Sequence, residues 1–479
     1  MAGMGDPFGL VEDKSDFFIH PSKIAIGSGI KYYSHYQFTY VDVPDWDFTS
    51  ELLSLPTGFF INPRVLRSSN RISGHKADHD ALLGTSWPQG KGRAGLFLRY
   101  SGTRGDFRGK MNSFSVIFLP DPVLFPGGTS GLNRYHEELD SFSLSLFYGL
   151  PVDNLRLGGA IELAHRTEEK KNLSDVTSFF FRSIDTNDPS LVMIPFDSRF
   201  WEALFKGTLE GPLGEGKLAL TLKGGFIFNG DNDLRSTDIF GGTFRSSHLK
   251  GDVKGWKARG DLWLRFPFLK NLDLPFVLAM EYERKSRDGK GLERSQAPFV
   301  VNEDFLSYEN KETIFHLTAG GGIDKKFNEE DRFAAGIYYK FIRTNQSFSQ
   351  GFSNNTNFPY YKEHQAFLCL TGEKKLSPGI TVRAGVNIFY GWVSEELRFK
   401  SPVVQEDRAL DGHHWGMATS LGSTIKFLSF SLEPFLGFGY RKLQLSGNRV
   451  DSFPQMIQVE RFDELKREWV TNAGISITF

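Results

Sequence analysis

Apolar and polar residues alternate one by one over long stretches of this chain, most cleanly toward its C-terminus. Over 413–427, Trp415, Met417, Leu421, Ile425 and Phe427 share one parity with Thr419 and Ser423, while His414, Gly416, Ala418, Ser420, Gly422, Thr424 and Lys426 take the other. Over 428–441, Leu428, Phe430, Leu432, Leu436, Phe438 and Tyr440 oppose Ser429, Ser431, Glu433, Gly437, Gly439 and Arg441. A period of two belongs to an extended strand with one face in an apolar medium and the other in a polar one. Over 379–393, Ile380, Val382, Ala384, Val386, Ile388, Tyr390 and Trp392 stand against Thr381, Arg383 and Asn387. The same pattern predicts strands at 363–375, 332–345, 313–325, 274–286, 255–268, 217–230, 198–210, 155–167, 141–150, 112–119, 92–101 and 30–41. With 467–479 they number about sixteen, an even count of the kind that single-chain bacterial barrels have.

The connections alternate as well. Short turns fall at 151–154, 211–216, 270–273, 328–331 and 377–378, and long polar loops at about 120–140, 168–197, 231–254, 287–312, 346–362, 394–412 and 443–466. A soluble sheet of many hairpins has no reason to alternate its loop lengths. The expected fold is therefore all-β: a transmembrane antiparallel up-and-down barrel with short periplasmic turns and long extracellular loops. Residues 1–29 read as an N-terminal periplasmic or plug segment and 30–479 as the barrel. The span 42–91 reads as a long first loop that could narrow the pore. Its Phe59-Phe60-Ile61-Asn62-Pro63 echoes Phe17-Phe18-Ile19-His20-Pro21, which makes Phe17, Phe18, Pro21, Phe59, Phe60 and Pro63 plug candidates. Chance recurrence in a Phe-rich chain accounts for that echo equally well.

Composition narrows the setting. No run comes near the roughly 18 apolar residues of a membrane-spanning helix, so a closed sheet is the remaining way through a bilayer. Aromatic residues at 14%, with 46 Phe and 50 Gly, suit strands and crowded walls. Mean hydropathy is −0.31. A formal net charge of −1 gives no ground for a nucleic-acid partner. One cysteine leaves no disulfide framework, Cys-rich zinc site or CxxCH haem attachment, so no cofactor is expected. The N-terminus carries no basic, apolar leader, and Ala2-Gly3-Met4-Gly5-Asp6-Pro7 reads as a mature terminus behind an added Met.

The last residues, Trp469, Thr471, Ala473, Ile475, Ile477 and Phe479, alternate with Glu468, Asn472, Gly474, Ser476 and Thr478. Ending on an aromatic carboxyl terminus, this resembles the C-terminal strand signature of bacterial outer-membrane proteins. The resemblance implies location in the bacterial outer membrane of a Gram-negative envelope, with Phe479 as part of a signal read by the barrel-assembly machinery. Asp16-Phe17-Phe18-Ile19-His20-Pro21-Ser22-Lys23-Ile24 resembles the Asn-Pro-Ala hatch that precedes the first strand in fatty-acid transporters of the FadL type, with His20 for Asn and Ser22 for Ala.

Parity also assigns a lumen face. Among its residues Arg93, Arg99, Lys257, Arg259, Asp261, Arg265, Glu281, Glu283 and Arg383 are the pore-lining candidates, because charges this frequent cannot point into lipid. Lys257, Arg259 and Arg265 on one strand oppose Glu281 and Glu283 on its hairpin partner. Such ladders set up a transverse field across a pore or simply pair along the wall, and pairing is the simpler reading. His75, Asp78, His79 and Asp80 have metal-binding and acid–base residue types without a recognisable spacing, and Asp231-Asn232-Asp233 reads as an Asx-rich turn before a calcium loop. Cys369 reads as a packing residue, and no enzyme is expected.

The expected function is a porin-like channel for passive diffusion of small hydrophilic solutes. A FadL-like transporter of hydrophobic compounds is one alternative. A scaffold barrel that sheathes a partner, such as a multihaem cytochrome in an electron conduit, is another. The expected partners are the lipid bilayer, the assembly machinery and, as the case may be, further copies of the chain or that cytochrome.

Overall fold

A strand with one face in lipid cannot leave a sheet edge unpaired, because no water is present to satisfy its N–H and C=O groups. In the computed structural model the chain meets this requirement by closure. The described residues are 21–25, 29–56, 64–118, 132–175, 196–240, 243–297, 300–328, 331–350, 356–400, 405–453 and 456–479. The first eight strands are β1 (Lys31–Pro56), β2 (Arg64–Gln89), β3 (Gly92–Phe118), β4 (Leu132–Val152), β5 (Leu155–Asp175), β6 (Phe196–Leu213), β7 (Gly216–Phe240) and β8 (Thr243–Leu269). The second eight are β9 (Leu272–Ala297), β10 (Val300–Lys326), β11 (Asp331–Gln350), β12 (Thr356–Ser377), β13 (Ile380–Lys400), β14 (Gln405–Lys426), β15 (Ser431–Phe453) and β16 (Met456–Thr478). Each pairs antiparallel with its sequence neighbours, and β1 closes on β16, giving one sixteen-stranded up-and-down barrel.

Both chain ends of the barrel lie at one rim, where Phe479 N donates to Tyr32 O at 3.0 Å. The tight turns share that rim, and several need a left-handed residue. Gly90, Asp153, Gly214 and Asn271 all have φ between 52° and 66°, the conformation that suits two-residue hairpins.

The outer face carries exposed Leu144, Leu146, Ile161, Leu163, Leu222, Leu278, Ile337, Ile388 and Leu421. Phe268, Phe327, Phe427 and Phe479 edge this belt at the short-turn rim. About ten residues further along each strand a second aromatic tier appears: Trp256 stacks on Tyr282 at 4.9 Å, and Tyr440 packs on Trp469 at 4.8 Å. Roughly ten residues is the length with which a tilted strand crosses the hydrocarbon of a bilayer, and paired aromatic girdles mark its two interfaces. Fold and belt together define a membrane-spanning barrel of the outer-membrane type.

The strands run from 18 to 27 residues, so they continue well past the belt at the long-loop end. There the expectations fail in an instructive way. The span 42–91 is not one long loop: 42–56 is the upper part of β1 and 64–89 is β2, with 57–63 outside the described residues. Segments 92–101 and 112–118 are one strand, β3. Most of the polar stretches expected as loops at 231–254, 287–312, 346–362, 394–412 and 443–466 are strand as well, as are 168–175 and 196–197, while 176–195 lie outside the described residues. Beyond the belt both faces meet water, so backbone pairing continues while the alternation that would reveal it stops.

An arginine placed mid-belt at Ile337, which is 68% exposed on the outer face, is expected to lower folding stability in lipid vesicles by about 2–4 kcal/mol. Urea titration of Ile337→Arg against the parent checks this, with Thr318→Arg on the lumen face of the neighbouring strand as a control expected to cost far less.

Candidate functional site within the lumen

Three features occupy the lumen. The first is a five-residue 3-10 helix, Pro21–Ala25, seated inside the short-turn end. Its residues Pro21, Ser22, Lys23 and Ile24 are buried. Ile24 fills an apolar pocket made by Leu82, Phe97, Phe147 and Ala160, with Tyr33 alongside. Ser22 Oγ donates to Glu210 at 3.2 Å, and the Lys23 ammonium lies 5.4 Å from the centre of the Trp263 ring. The wall is notched to receive the helix: a Cβ on Gly158 would overlap the backbone of Pro21 and Ser22, and one on Gly149 would meet Ile24 and Ala25. Pro21, one of the plug candidates, is buried in this helix inside the lumen. The other plug candidates, Phe17, Phe18, Phe59, Phe60 and Pro63, lie outside the described residues.

The second feature is a polar cavity of about 300 Å³ further along the lumen, lined by residues of β1 to β5. Its charged lining includes Asp78, Asp80, Arg99, Arg166 and Glu168, with Gln37, Thr39, Ser101, Thr103 and Ser141 between them. Arg99 grips Asp80 through two hydrogen bonds of 2.8 Å, and Thr103 donates to Asp78 at 2.6 Å. The apolar pocket around Ile24 adjoins this cavity, since Leu82 and Phe97 are each one lumen-facing position from Asp80 and Arg99.

The third feature is a pinch. Glu168 on β5 accepts hydrogen bonds from Lys285 at 2.5 Å and Arg287 at 2.7 Å, both on β9. Lys285 lies over the Phe200 ring of β6 at 4.3 Å, and Arg287 reaches Glu312 of β10 at 3.7 Å. β5 and β9 are four strands apart. In a circular barrel of this size such walls would stand roughly 20 Å apart, from a strand spacing of about 4.8 Å and a steep tilt. A Glu–Lys pair cannot span that distance, so the wall folds inward and the lumen is narrowed beside the cavity.

The remaining pore-lining candidates take part in the same wall chemistry. Arg93 donates to the Ser86 hydroxyl and carbonyl. In register Lys257 faces Glu283 and Arg259 faces Glu281, yet the Lys257 ammonium turns to Glu202, which also holds Arg166 at 2.7 Å. Arg259 binds Asp261 at 2.7 Å and Glu281 at 3.2 Å. Arg265 shares Asp324 with Arg332, and Arg383 pairs with Glu373 at 2.8 Å. Much of the charge in this hairpin is therefore paired along the wall, in part with strands that parity alone does not single out.

The loop-type candidates separate. His75 and His79 fall on the outer face of β2, where Tyr40 stacks on His75 at 5.8 Å and the Tyr36 hydroxyl meets His79 Nδ1 at 3.0 Å. Asp78 and Asp80 face the cavity. Strand parity thus keeps the two histidines away from the two carboxylates. Asn232 accepts from Ser198 at 2.7 Å, and Asp233 pairs with His248 at 2.9 Å. Cys369 is buried beside Ala334 and Tyr338. Sequence reading missed Glu168, Lys285, Arg287 and Asp80 as a group, because none of the positions across the lumen is encoded in a local period.

No family model matches the chain, and no curated protein does. Among solved structures it is similar to the Pseudomonas putida toluene transporter TodX, at 12% identity and TM-score 0.36 over 100% of this chain and 96% of that one. It is also similar to a Pseudomonas aeruginosa FadL homologue, at 11% identity and TM-score 0.40 over 100% and 97%. The Ralstonia pickettii toluene transporter TbuX gives 12% and 0.32 over 98% and 97%. Likeness this low leaves solute and mechanism to be read from the chain's own residues.

Two variants test the seating and the pinch. Gly158→Val should unseat the helix, so that a cysteine at Ile24→Cys, protected from maleimide in the parent, becomes labelled; protection in both backgrounds would contradict the seating. Glu168→Gln leaves Lys285 and Arg287 buried without their carboxylate and should cost on the order of 3 kcal/mol, whereas Glu168→Leu combined with Lys285→Met and Arg287→Met should recover most of that loss. Urea unfolding of the refolded barrels measures both.

Proposed function

We propose that the protein is an outer-membrane channel closed at its periplasmic end by its own N-terminal segment, and that it passes small, partly apolar compounds selectively. This is the FadL-like layout, and it is favoured over an open general porin. The observation that carries it is the seat of Pro21–Ala25: the wall is cut away by Gly149 and Gly158 to receive the helix, and Ile24 occupies an apolar pocket that adjoins a polar cavity. Withdrawal of Ile24 would free a pocket of Tyr33, Leu82, Phe97, Phe147 and Ala160 directly next to Arg99 and Asp80. Such a pair of surfaces suits a compound with an apolar body and one polar or ionisable end.

A second reading is passive diffusion of hydrophilic solutes, which the ion-paired wall of β5 to β12 favours. Charged side chains such as Lys206 and Glu162, 3.3 Å apart, keep that side of the lumen wet. The two readings part on one comparison. In proteoliposomes, the full chain should admit a monoaromatic alcohol or a short fatty acid faster than vesicles without protein, and should exclude a sugar of similar size. Sugar entry at the rate of an open pore would sink the proposal in favour of the porin.

A further inference from the structure

Above the belt, the outer face of β11 and β12 changes character within a few residues. On β11 it runs Ile337, Tyr339, Phe341, Arg343, and on β12, in register, Leu368, Ala366, His364, Lys362. The aromatic tier here is well ordered: the Tyr339 hydroxyl meets His364 Nδ1 at 2.6 Å, and the Phe341 and His364 rings lie 4.9 Å apart. One position further out, Arg343 stands directly opposite Lys362. Like charges directly opposite on an antiparallel ladder repel and destabilise the pair. Neither cation forms an ion pair with a carboxylate among the described residues. Both lie instead over one ring, with Arg343 4.8 Å and Lys362 4.3 Å from the centre of Tyr360. The ring holds the two charges together on a surface that leaves the hydrocarbon at this height.

We propose that Arg343 and Lys362, gathered by Tyr360, form a binding site for the phosphate of an anionic lipid headgroup in the leaflet at the long-loop end. In an outer membrane that leaflet is external, so the occupant is a phosphorylated glycolipid. Three features select this occupant. Two opposed cations that form no ion pair with a carboxylate among the described residues, although Glu396 of β13 faces Tyr360, can take an anion from outside the chain. The site begins where the apolar belt and its aromatic tier end, the depth at which headgroups lie. The acyl chains of such a lipid would run down over Phe341, Tyr339 and Ile337, of which Ile337 is 68% and Tyr339 39% exposed.

The test uses the full refolded chain in nanodiscs of phosphatidylethanolamine containing either bis-phosphorylated lipid A or its dephosphorylated form, with lipid retained per barrel read by native mass spectrometry. The parent should retain the phosphorylated form and not the other. Arg343→Gln with Lys362→Gln should weaken retention roughly thirtyfold, from about 1 kcal/mol for each charge near an anionic surface. Tyr360→Leu, which keeps both charges, should weaken it severalfold and covers the case in which the double variant does not fold. Arg104→Gln, an outward arginine already paired with Glu138 at 2.9 Å, should change nothing. Equal retention by parent and double variant, or of both forms of the lipid, would overturn the proposal.

Discussion

The constraint on which everything else depends is that no backbone N–H or C=O may face hydrocarbon unpaired. A sheet satisfies this only by closing, and here the closing ladder is β1 on β16, from Tyr33 opposite Thr478 up to Pro56 opposite Met456. Once the ring is closed, each strand has two faces in two media, and every second side chain is committed to lipid or to lumen. The aromatic tiers, the apolar belt and the charged interior follow from that one condition. So does the seat of the Pro21–Ala25 helix, because a segment inside a closed wall must be accepted by the wall. Gly95, Gly149 and Gly158 all stand against the Pro21–Ala25 helix.

Closure also explains why the lumen is not a plain tube. Charges sent inward by parity must pair or be hydrated. Some pair along the wall, as Arg259 does with Glu281; others reach across, as Lys285 and Arg287 do to Glu168. Pairs of the second kind draw distant strands together, so electrostatics shapes the passage as well as lining it. The result is a lumen with a seated helix at one end, a pinch at the other level and a polar cavity close to both.

The barrel class, the closing strand and the inward and outward faces were legible because period two survives wherever lipid lies on one side. The strand count came out at sixteen through two offsetting errors. β2 was missed because its outer face offers His75, Ala77, His79, Ala81 and Leu83, a row whose histidines are made tolerable by Tyr36 and Tyr40 on the next strand. β3 was read as two strands because Thr103 to Lys110 alternates nothing once it has left the belt. Partners across the lumen were not legible at all: parity says that Glu168 and Lys285 both point inward, and only the folded wall brings them to 2.5 Å.

The central claim, that the N-terminal segment closes the lumen, is tested most directly by single-channel conductance in planar bilayers, comparing the full chain with a chain that begins at Gly29. The account predicts that the full chain is silent or opens only briefly, and that the shortened barrel conducts steadily. Steady, equal conductance from both would contradict it, and the helix would then be a fixture of the wall without control over passage.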